Sequence, residues 1–272
     1  MKLKKIKCLI LCAAAAIGVL FTGCSDNSVK GGNIDEVTLQ KGDLIAEFEI
    51  EGYGTIKAKL FPDAAPVGVE NFQKLCDSGF YKGLTIHRVM AGFMFQGGST
   101  NGNGTGGEAM VNGGSFGVEA KDNMRHFYGA LCYANAGGQN STQFYIVNNK
   151  EKDTYKTELE YYKTAVEQCN ELIKQYKEQG IAEAVSYYTA QKESIQALVD
   201  KYEAFPKNVQ EKYDAGGGVP QLDGDYTVFG QVYEGFEVID KISAVAVEDN
   251  GGGEPSKPVQ EIIITDIKVS EY

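Results

Sequence analysis

Residues 81–98 read YKGLTIHRVMAGFMFQGG, and this stretch decides the fold. Apolar residues occupy positions 84, 86 and 93–95, which predicts two short strands, at 84–86 and 93–95, separated by a glycine-containing turn. Arg88 stands between these two strands. An arginine in this position is either a partner in a surface ion pair or a functional residue, and the residues that follow it favour the functional role. Phe93 and Met94, considered alone, are typical of a plain hydrophobic core.

Short strands with glycine-rich turns surround this segment. Alternating apolar residues predict a β-hairpin formed by residues 44–50 and 56–60. Apolar residues at three-to-four spacing after Pro66 predict an amphipathic helix over residues 66–78. Further strands are predicted at 130–133, 143–147, 228–232 and 262–269, with a short helix at 236–242. The pattern predicts a mainly β fold, either a closed antiparallel barrel or a sandwich, with short capping helices.

One segment of the chain has a different character. Residues 155–205 contain a single glycine, Gly180, although the whole chain contains 33. On both sides of Gly180 apolar residues recur at steps of three and four, which predicts two helices of ~24 residues each. We therefore expect residues 151–219 to form an antiparallel helical hairpin inserted into a β body made of residues 41–150 and 220–272. Its many tyrosines are compatible with capture of unfolded proteins, with a solvated spacer and with a dimerising coiled coil.

The N-terminus has the pattern of a bacterial export signal. Four lysines precede an apolar run over residues 8–21, and Thr22-Gly23 leads to Cys24 as in a lipobox. The pattern predicts a lipoprotein signal peptide over residues 1–23, lipidation of Cys24 and a flexible tether over residues 24–40. The alternative is an N-terminal membrane anchor that is not cleaved. Both place the body outside the cytoplasm, and the first attaches it to the bacterial cell membrane through lipid.

Composition excludes several classes of function. The chain has 26 Lys and Arg against 37 Asp and Glu, so its net charge of −11 would repel phosphate backbones, and no nucleic-acid partner is expected. The three cysteines beyond the N-terminal segment, Cys76, Cys132 and Cys169, lack CxxC spacing, so we expect buried thiols and no metal site. Residues 102–107 match a dinucleotide-binding fingerprint, but no buried strand precedes them and no helix follows. This match is therefore not expected to bind a dinucleotide.

The quoted stretch closely resembles the signature of the cyclophilin family of peptidyl-prolyl isomerases. Four further blocks resemble the family in the same order along the chain: NGTGG at 103–107, YANAG at 133–137, QFYI at 143–146 and LDGDYTVFG at 222–230. The resemblance implies a closed cyclophilin-like barrel and a peptidyl-prolyl cis-trans isomerase that assists the folding of exported proteins. It also implies proline-containing peptides and unfolded exported proteins as partners.

The resemblance further implies a site that works without a covalent intermediate, a metal or a cofactor. It assigns Arg88 and Gln96 as catalytic residues. A guanidinium can donate to the prolyl nitrogen as the amide loses its double-bond character, and this help is strongest in the twisted transition state. The substrate-binding residues that it implies are Phe93, Met94, Ala134, Asn135, Gln143, Tyr145, Leu222 and Tyr226.

Three positions depart from the family pattern. Gln221 stands where many cyclophilins carry Trp, Tyr226 stands in place of a common His, and Tyr145 replaces Phe. We therefore expect weak binding of cyclosporin. The alternative function is a non-catalytic lipoprotein that binds proline peptides or acts as a chaperone through the scaffold and the helical arm. Because Arg88 and Phe93 match the family pattern, the enzyme is favoured.

Overall fold

The computed structural model describes residues 31–272. Within them, Thr157–Phe205 form one compact unit, here called the helical unit, and the residues before and after it form a second, the β unit. The strands of the β unit are β1 (Leu44–Ile50), β2 (Gly54–Leu60), β3 (Ile86–Met90), β4 (Met94–Gly97), β5 (Phe116–Gly117), β6 (Ala130–Ala136), β7 (Gln139–Val147), β8 (Val228–Glu234), β9 (Val247–Asp249), β10 (Pro255–Pro258) and β11 (Ile264–Glu271). The helices of the described residues are α1 (Pro66–Asp77), α2 (Thr154–Glu178), α3 (Ala182–Glu203), α4 (Lys207–Gly216) and α5 (Phe236–Ser243), together with a 3-10 turn at Pro220–Leu222.

The hairpin of β1 and β2 begins a large antiparallel sheet. Alternate residues of both strands are buried, and Phe48 lies opposite Ile56 in the register. Nine strands pair in the order β11-β1-β2-β8-β6-β7-β4-β3, with β5 beside β7. The predicted mainly β, antiparallel architecture is confirmed, and so is the helix that follows the hairpin, α1.

The predicted closed barrel is wrong. β3 and β11 are the two ends of the sheet. The residues just before these strands, Thr85 and Ile263, form an isolated β-bridge. There the Ile86 N–H donates to the Ile262 carbonyl at 2.9 Å and the Ile264 N–H donates to the Leu84 carbonyl at 2.8 Å. Beyond this point β3 lies beside β10 of the small β9–β10 hairpin, while β11 pairs with β1. The sheet is therefore a curled, open barrel.

The strands bury a different set of side chains on each face, because successive residues of a strand point to opposite sides. Phe95, Tyr133, Phe144 and Phe229 belong to the main core. Their strand neighbours pack into a second cluster, here called the outer-face cluster. Its buried members are Ala64, Met94, Met124, Ala130, Cys132, Tyr145, Val147, Val219 and Val228, and its partly buried members are Phe61, Met90, Phe93, Ala134, Leu222 and Tyr226. The outer-face cluster spans β4, β7, β6 and β8, which are neighbours in the sheet.

The helical unit contains most of α2 and all of α3. Gly180 lies between the two helices with φ of +71°, a conformation that favours glycine. The rings of Tyr162 and Tyr202 lie 5.3 Å apart, and those of Tyr176 and Tyr188 are stacked at 5.5 Å. These contacts join the start of each helix to the end of the other. That residues 151–219 form an inserted hairpin stays a prediction.

The predicted signal peptide, residues 1–23, and the predicted lipidation site, Cys24, lie outside the described residues. The described part of the tether predicted over residues 24–40 is not a free segment. Asn33 is buried, and its side-chain amide donates to the Arg125 carbonyl at 2.7 Å and to Gln231 Oε1 at 3.0 Å. Lys212 Nζ donates to the Asn33 carbonyl at 2.7 Å. In residues 31–272, no helix combines the length and the apolar character that crossing a membrane requires.

Candidate active site

Three predicted site residues form a polar row across β3, β4 and β7. Arg88 lies opposite Gln96, and Gln96 lies opposite Tyr145, two residues along from Gln143. The Gln96 side-chain amide donates to Gln143 Oε1 at 2.9 Å, and the Gln143 amide donates to the Gly104 carbonyl at 2.9 Å. The register of the sheet therefore brings Arg88, Gln96 and Gln143 to the face that carries the outer-face cluster.

The predicted apolar site residues all belong to the outer-face cluster. Met94 and Tyr145 are among its buried members, whereas Phe93, Ala134, Leu222 and Tyr226 are partly exposed. Phe93 projects from the turn between β3 and β4, and two hydrogen bonds with Asn148 hold this turn in place. The Phe93 N–H donates to Asn148 Oδ1 at 2.8 Å, and the Asn148 N–H donates to the Phe93 carbonyl at 3.1 Å. The result is a partly open apolar surface next to the polar row.

Asn135 uses its side chain within the local structure. The amide donates to the Asp225 carbonyl at 3.0 Å, and its oxygen accepts from the Gly138 N–H at 3.2 Å. These bonds tie the end of β6 to the segment that carries Tyr226.

A buried polar chain lies behind the apolar surface. The side chains of His126 and Asp223 are each only 1% exposed, and His126 Nδ1 lies 2.8 Å from Asp223 Oδ1. A carboxylate only accepts, so Nδ1 carries a proton, and Nε2 lies 2.9 Å from the Tyr145 hydroxyl oxygen. Burial raises the pKa of Tyr145 well above its ordinary value, which keeps this hydroxyl protonated. The Tyr213 hydroxyl also donates to Asp223, at 2.8 Å.

Arg88 forms an ion pair, which is the role that the sequence leaves open as the alternative to a functional one. Its Nε donates to Glu254 Oε1 at 2.7 Å and its Nη2 to Oε2 at 2.8 Å. The hydrogen bond from Arg88 holds the pKa of Glu254 at about 2. Nη2 also lies 3.1 Å from the sulfur of Met90, a member of the outer-face cluster. The guanidinium thus lies at the edge of the apolar surface.

Sequence reasoning missed several residues that shape the site. Glu254 carries no local signal, since 166 residues separate it from Arg88. The dipeptide Asp223-Gly224 indicates only a turn in the sequence, and nothing there predicts the buried hydrogen bonds of Asp223.

The two histidines of the sequence, His87 and His126, are both expected to be structural hydrogen-bonding residues. The contacts of His126 with Asp223 and Tyr145 confirm this for His126. For His87 the prediction is wrong, because both ring nitrogens are buried and no described residue forms a hydrogen bond with them.

The cysteines of the β unit and the helical unit agree with the prediction. Cys76, Cys132 and Cys169 are all buried, at no more than 7% exposure. Across residues 31–272, no group of three or more His, Cys, Asp or Glu side chains is arranged to hold a metal ion.

Comparison with known proteins identifies the family. The family described as cyclophilin type peptidyl-prolyl cis-trans isomerase/CLD matches residues 45–183 and 207–269. A protein of Staphylococcus haemolyticus (strain JCSC1435) named "Putative peptidyl-prolyl cis-trans isomerase" is 34% identical over 219 residues, which cover 80% of this chain and 87% of that protein. A protein of the same name from Staphylococcus aureus (strain USA300) is 33% identical over 80% of this chain and 88% of its own length.

Solved structures share the fold. The crystal structure of a cyclophilin type peptidyl-prolyl cis-trans isomerase from Cryptosporidium parvum has a TM-score of 0.55 and 22% sequence identity, over 85% of this chain and 99% of that chain. The same protein, crystallised in the presence of the dipeptide Ala-Pro, has a TM-score of 0.54 and 23% identity, over 84% of this chain and 99% of that chain. Both show that the fold is cyclophilin-like.

The chain therefore belongs to the cyclophilin-type peptidyl-prolyl cis-trans isomerase family. The family and enzyme class predicted from the sequence are confirmed by the family match, by the names of the relatives and by the fold.

Proposed function

We propose that the outer-face cluster binds a proline-containing segment and that Arg88 drives the rotation of its X-Pro bond. The observation that supports this most is the shared face: the six predicted apolar residues belong to one cluster, and Arg88, Gln96 and Gln143 border it. A proline ring needs apolar contact, whereas its flanking peptide groups need hydrogen-bonding partners. The Cryptosporidium protein was crystallised in the presence of the dipeptide Ala-Pro, which supports the same class of ligand.

The chemistry required is rotation about a bond with partial double-bond character. The barrier is ~18–20 kcal/mol, because the amide nitrogen shares its lone pair with the carbonyl. As the amide twists, the lone pair returns to the nitrogen, and a donor that reaches it stabilises the transition state more than either ground state. Arg88 is this donor, since its guanidinium is always charged. Gln96 and Gln143 hold the peptide chain while the carbonyl before proline rotates.

A protease-coupled isomerisation assay on a proline tetrapeptide tests the role of Arg88. We expect Arg88→Ala to lose most of the turnover, and Arg88→Lys to recover little, because lysine keeps the charge but loses the planar set of donors. Lys257→Ala is the control, since Lys257 is an exposed cation of β10 that pairs with Glu248. Absence of wild-type activity, or unchanged activity in Arg88→Ala, would contradict the assignment.

The second candidate is a scaffold that binds proline peptides without turning them over. Tyr226 and Gln221 replace residues that are common in the family, and Tyr226 belongs to the outer-face cluster. Titration of the protein with Ala-Pro, followed by amide chemical shifts of Phe93 and Ala134, measures binding separately from turnover. Binding without isomerisation would favour this second function.

We also propose that the protein is exported, lipid-anchored and active on unfolded exported proteins. The support is the lysine-rich, apolar N-terminal pattern that ends at Cys24. Incorporation of a labelled fatty acid into wild type and Cys24→Ser, with the mass of the mature chain, tests the anchor. Label retained in the variant, or an intact N-terminus in the wild type, would refute lipidation at Cys24.

The helical hairpin is proposed to be an insertion that captures clients. A deletion that tests this should remove only residues 157–205 and join Lys156 to Pro206 through a short Gly-Ser linker. Residues 153 and 154 donate to the backbone of Asp214 and Tyr213 at 3.0 and 3.1 Å, so α4 has to stay. Client capture predicts full turnover of a tetrapeptide and loss of catalysis on a slow-folding protein. Equal effects on both substrates would exclude it.

A further inference from the structure

The proposed catalytic arginine is held by a carboxylate from a different part of the chain. Arg88 uses two of its three nitrogens, Nε and Nη2, on the two oxygens of Glu254 at 2.7 and 2.8 Å. Two parallel hydrogen bonds between a guanidinium and a carboxylate fix the guanidinium plane as well as its position. Among the described residues, no hydrogen bond engages Nη1 of Arg88. The side of the guanidinium that carries Nη1 therefore remains available to a ligand.

The turn that carries Glu254 is built by its own side chains. Asp249 Oδ1 accepts from the Gly251 N–H at 2.7 Å and from the Gly253 N–H at 3.3 Å. The Asn250 N–H donates to the Glu254 carbonyl at 2.9 Å and closes the turn between β9 and β10. β10 lies beside β3, the strand of Arg88. Glu254 is thus presented to Arg88 by a shaped hairpin.

The ion pair contributes little to the free energy of unfolding. Its side chains are 30% and 33% exposed, and solvent screens a pair this accessible. With Arg88 as partner, the pKa of Glu254 lies at about 2, so the carboxylate is ionised throughout the neutral range. What the pair does supply is orientation, because a free arginine side chain samples many rotamers.

We propose that Glu254 is a positioning residue for catalysis, which orients Arg88 so that Nη1 points at the twisting amide. The proposal rests on the proposed role of Arg88. Orientation before the reaction begins matters because a donor that is already in place stabilises the transition state without reorganising. Met90, whose sulfur lies 3.1 Å from Nη2, supports the same orientation from the side of the apolar surface.

The test compares kcat and KM of the full-length protein on a proline peptide. We expect Glu254→Ala to lower kcat about tenfold, the effect of ~1.4 kcal/mol in transition-state stabilisation, and to change KM by less than about twofold. The kcat of Glu254→Gln should lie between that of the wild type and that of Glu254→Ala, since one oxygen still accepts from Arg88. Glu248→Ala, an exposed acid on the same hairpin, is the matched control and should leave both constants unchanged. In the background of Arg88→Ala, Glu254→Ala should have no further effect.

A readout independent of turnover is the Nε–H resonance of Arg88. In the wild type it should exchange slowly with water, and in Glu254→Ala it should exchange several times faster. A kcat that rises in Glu254→Ala would overturn the proposal in favour of an inhibitory contact. An equal loss with and without Arg88, or an unchanged Nε–H resonance, would overturn it as well. If Arg88→Ala is inactive while Glu254→Ala equals wild type, only this proposal fails; if Arg88→Ala is fully active, the proposed function fails with it.

Discussion

Replacing Asp223 by alanine should destabilise the β unit by about 3–5 kcal/mol. Three buried donors would lose their acceptor: the His126 N–H at 2.9 Å, His126 Nδ1–H at 2.8 Å and the Tyr213 hydroxyl at 2.8 Å. Each buried donor left unsatisfied costs ~1–3 kcal/mol, and water entering the vacated space offsets part of the sum. The guanidinium of Arg125, 3.4 Å from Asp223 and 11% exposed, would lose its buried counter-charge too. Asp223→Asn keeps an acceptor and should cost about half as much.

The assay is urea unfolding followed by the amide resonances of β6 and β8, because these strands report the β unit without the helical unit. Asp77→Ala, at the exposed end of α1, is the control and should change the free energy of unfolding by less than about 0.5 kcal/mol. A loss below about 1 kcal/mol for Asp223→Ala, or one equal to the control, would refute the view that Asp223 organises this buried chain.

Three further predictions concern single residues. Burial, assisted by the charge of Arg88, holds the pKa of His87 at about 4 against an ordinary 6.5, so the unfolded chain binds this proton first. Stability should therefore fall as the pH falls from 6.5 to 4, and a His87→Gln variant that shows the same fall would contradict this. Tyr145→Phe should cost about 1 kcal/mol in urea unfolding, since His126 Nε2 loses its hydrogen-bond partner. The value of kcat/KM should change less than about twofold because the ring remains. Gly98→Ala should destabilise by more than about 2 kcal/mol, because φ is +85° and a Cβ would lie 2.5 Å from the Thr142 carbonyl oxygen; full stability in the same unfolding measurement would exclude this clash.

The elements that the sequence predicted best are those with regular periodicity. β1, β2 and α1 bury one face each, so their apolar residues alternate or recur at three-to-four spacing. β9 and β10 were missed because they have three and four residues, and prolines stand at both ends of β10. The same short hairpin lies beside β3, where the predicted barrel would have had to close. Closure of the barrel depends on which strand edges pair, and the alternation of apolar residues within one strand does not predict that pairing.

The residues of the candidate site also differ in how far the sequence predicts them. Its apolar residues and Arg88 lie within short motifs, so a family resemblance could assign them one by one. Glu254 and the pair of His126 and Asp223 act through contacts between residues 166 and 97 positions apart, which no local pattern encodes. The ion pair and the catalytic role are alternatives for Arg88 in the sequence, yet the geometry makes them compatible. A carboxylate that takes Nε and Nη2 leaves Nη1 for the substrate, so the ion pair can orient the guanidinium that the reaction requires.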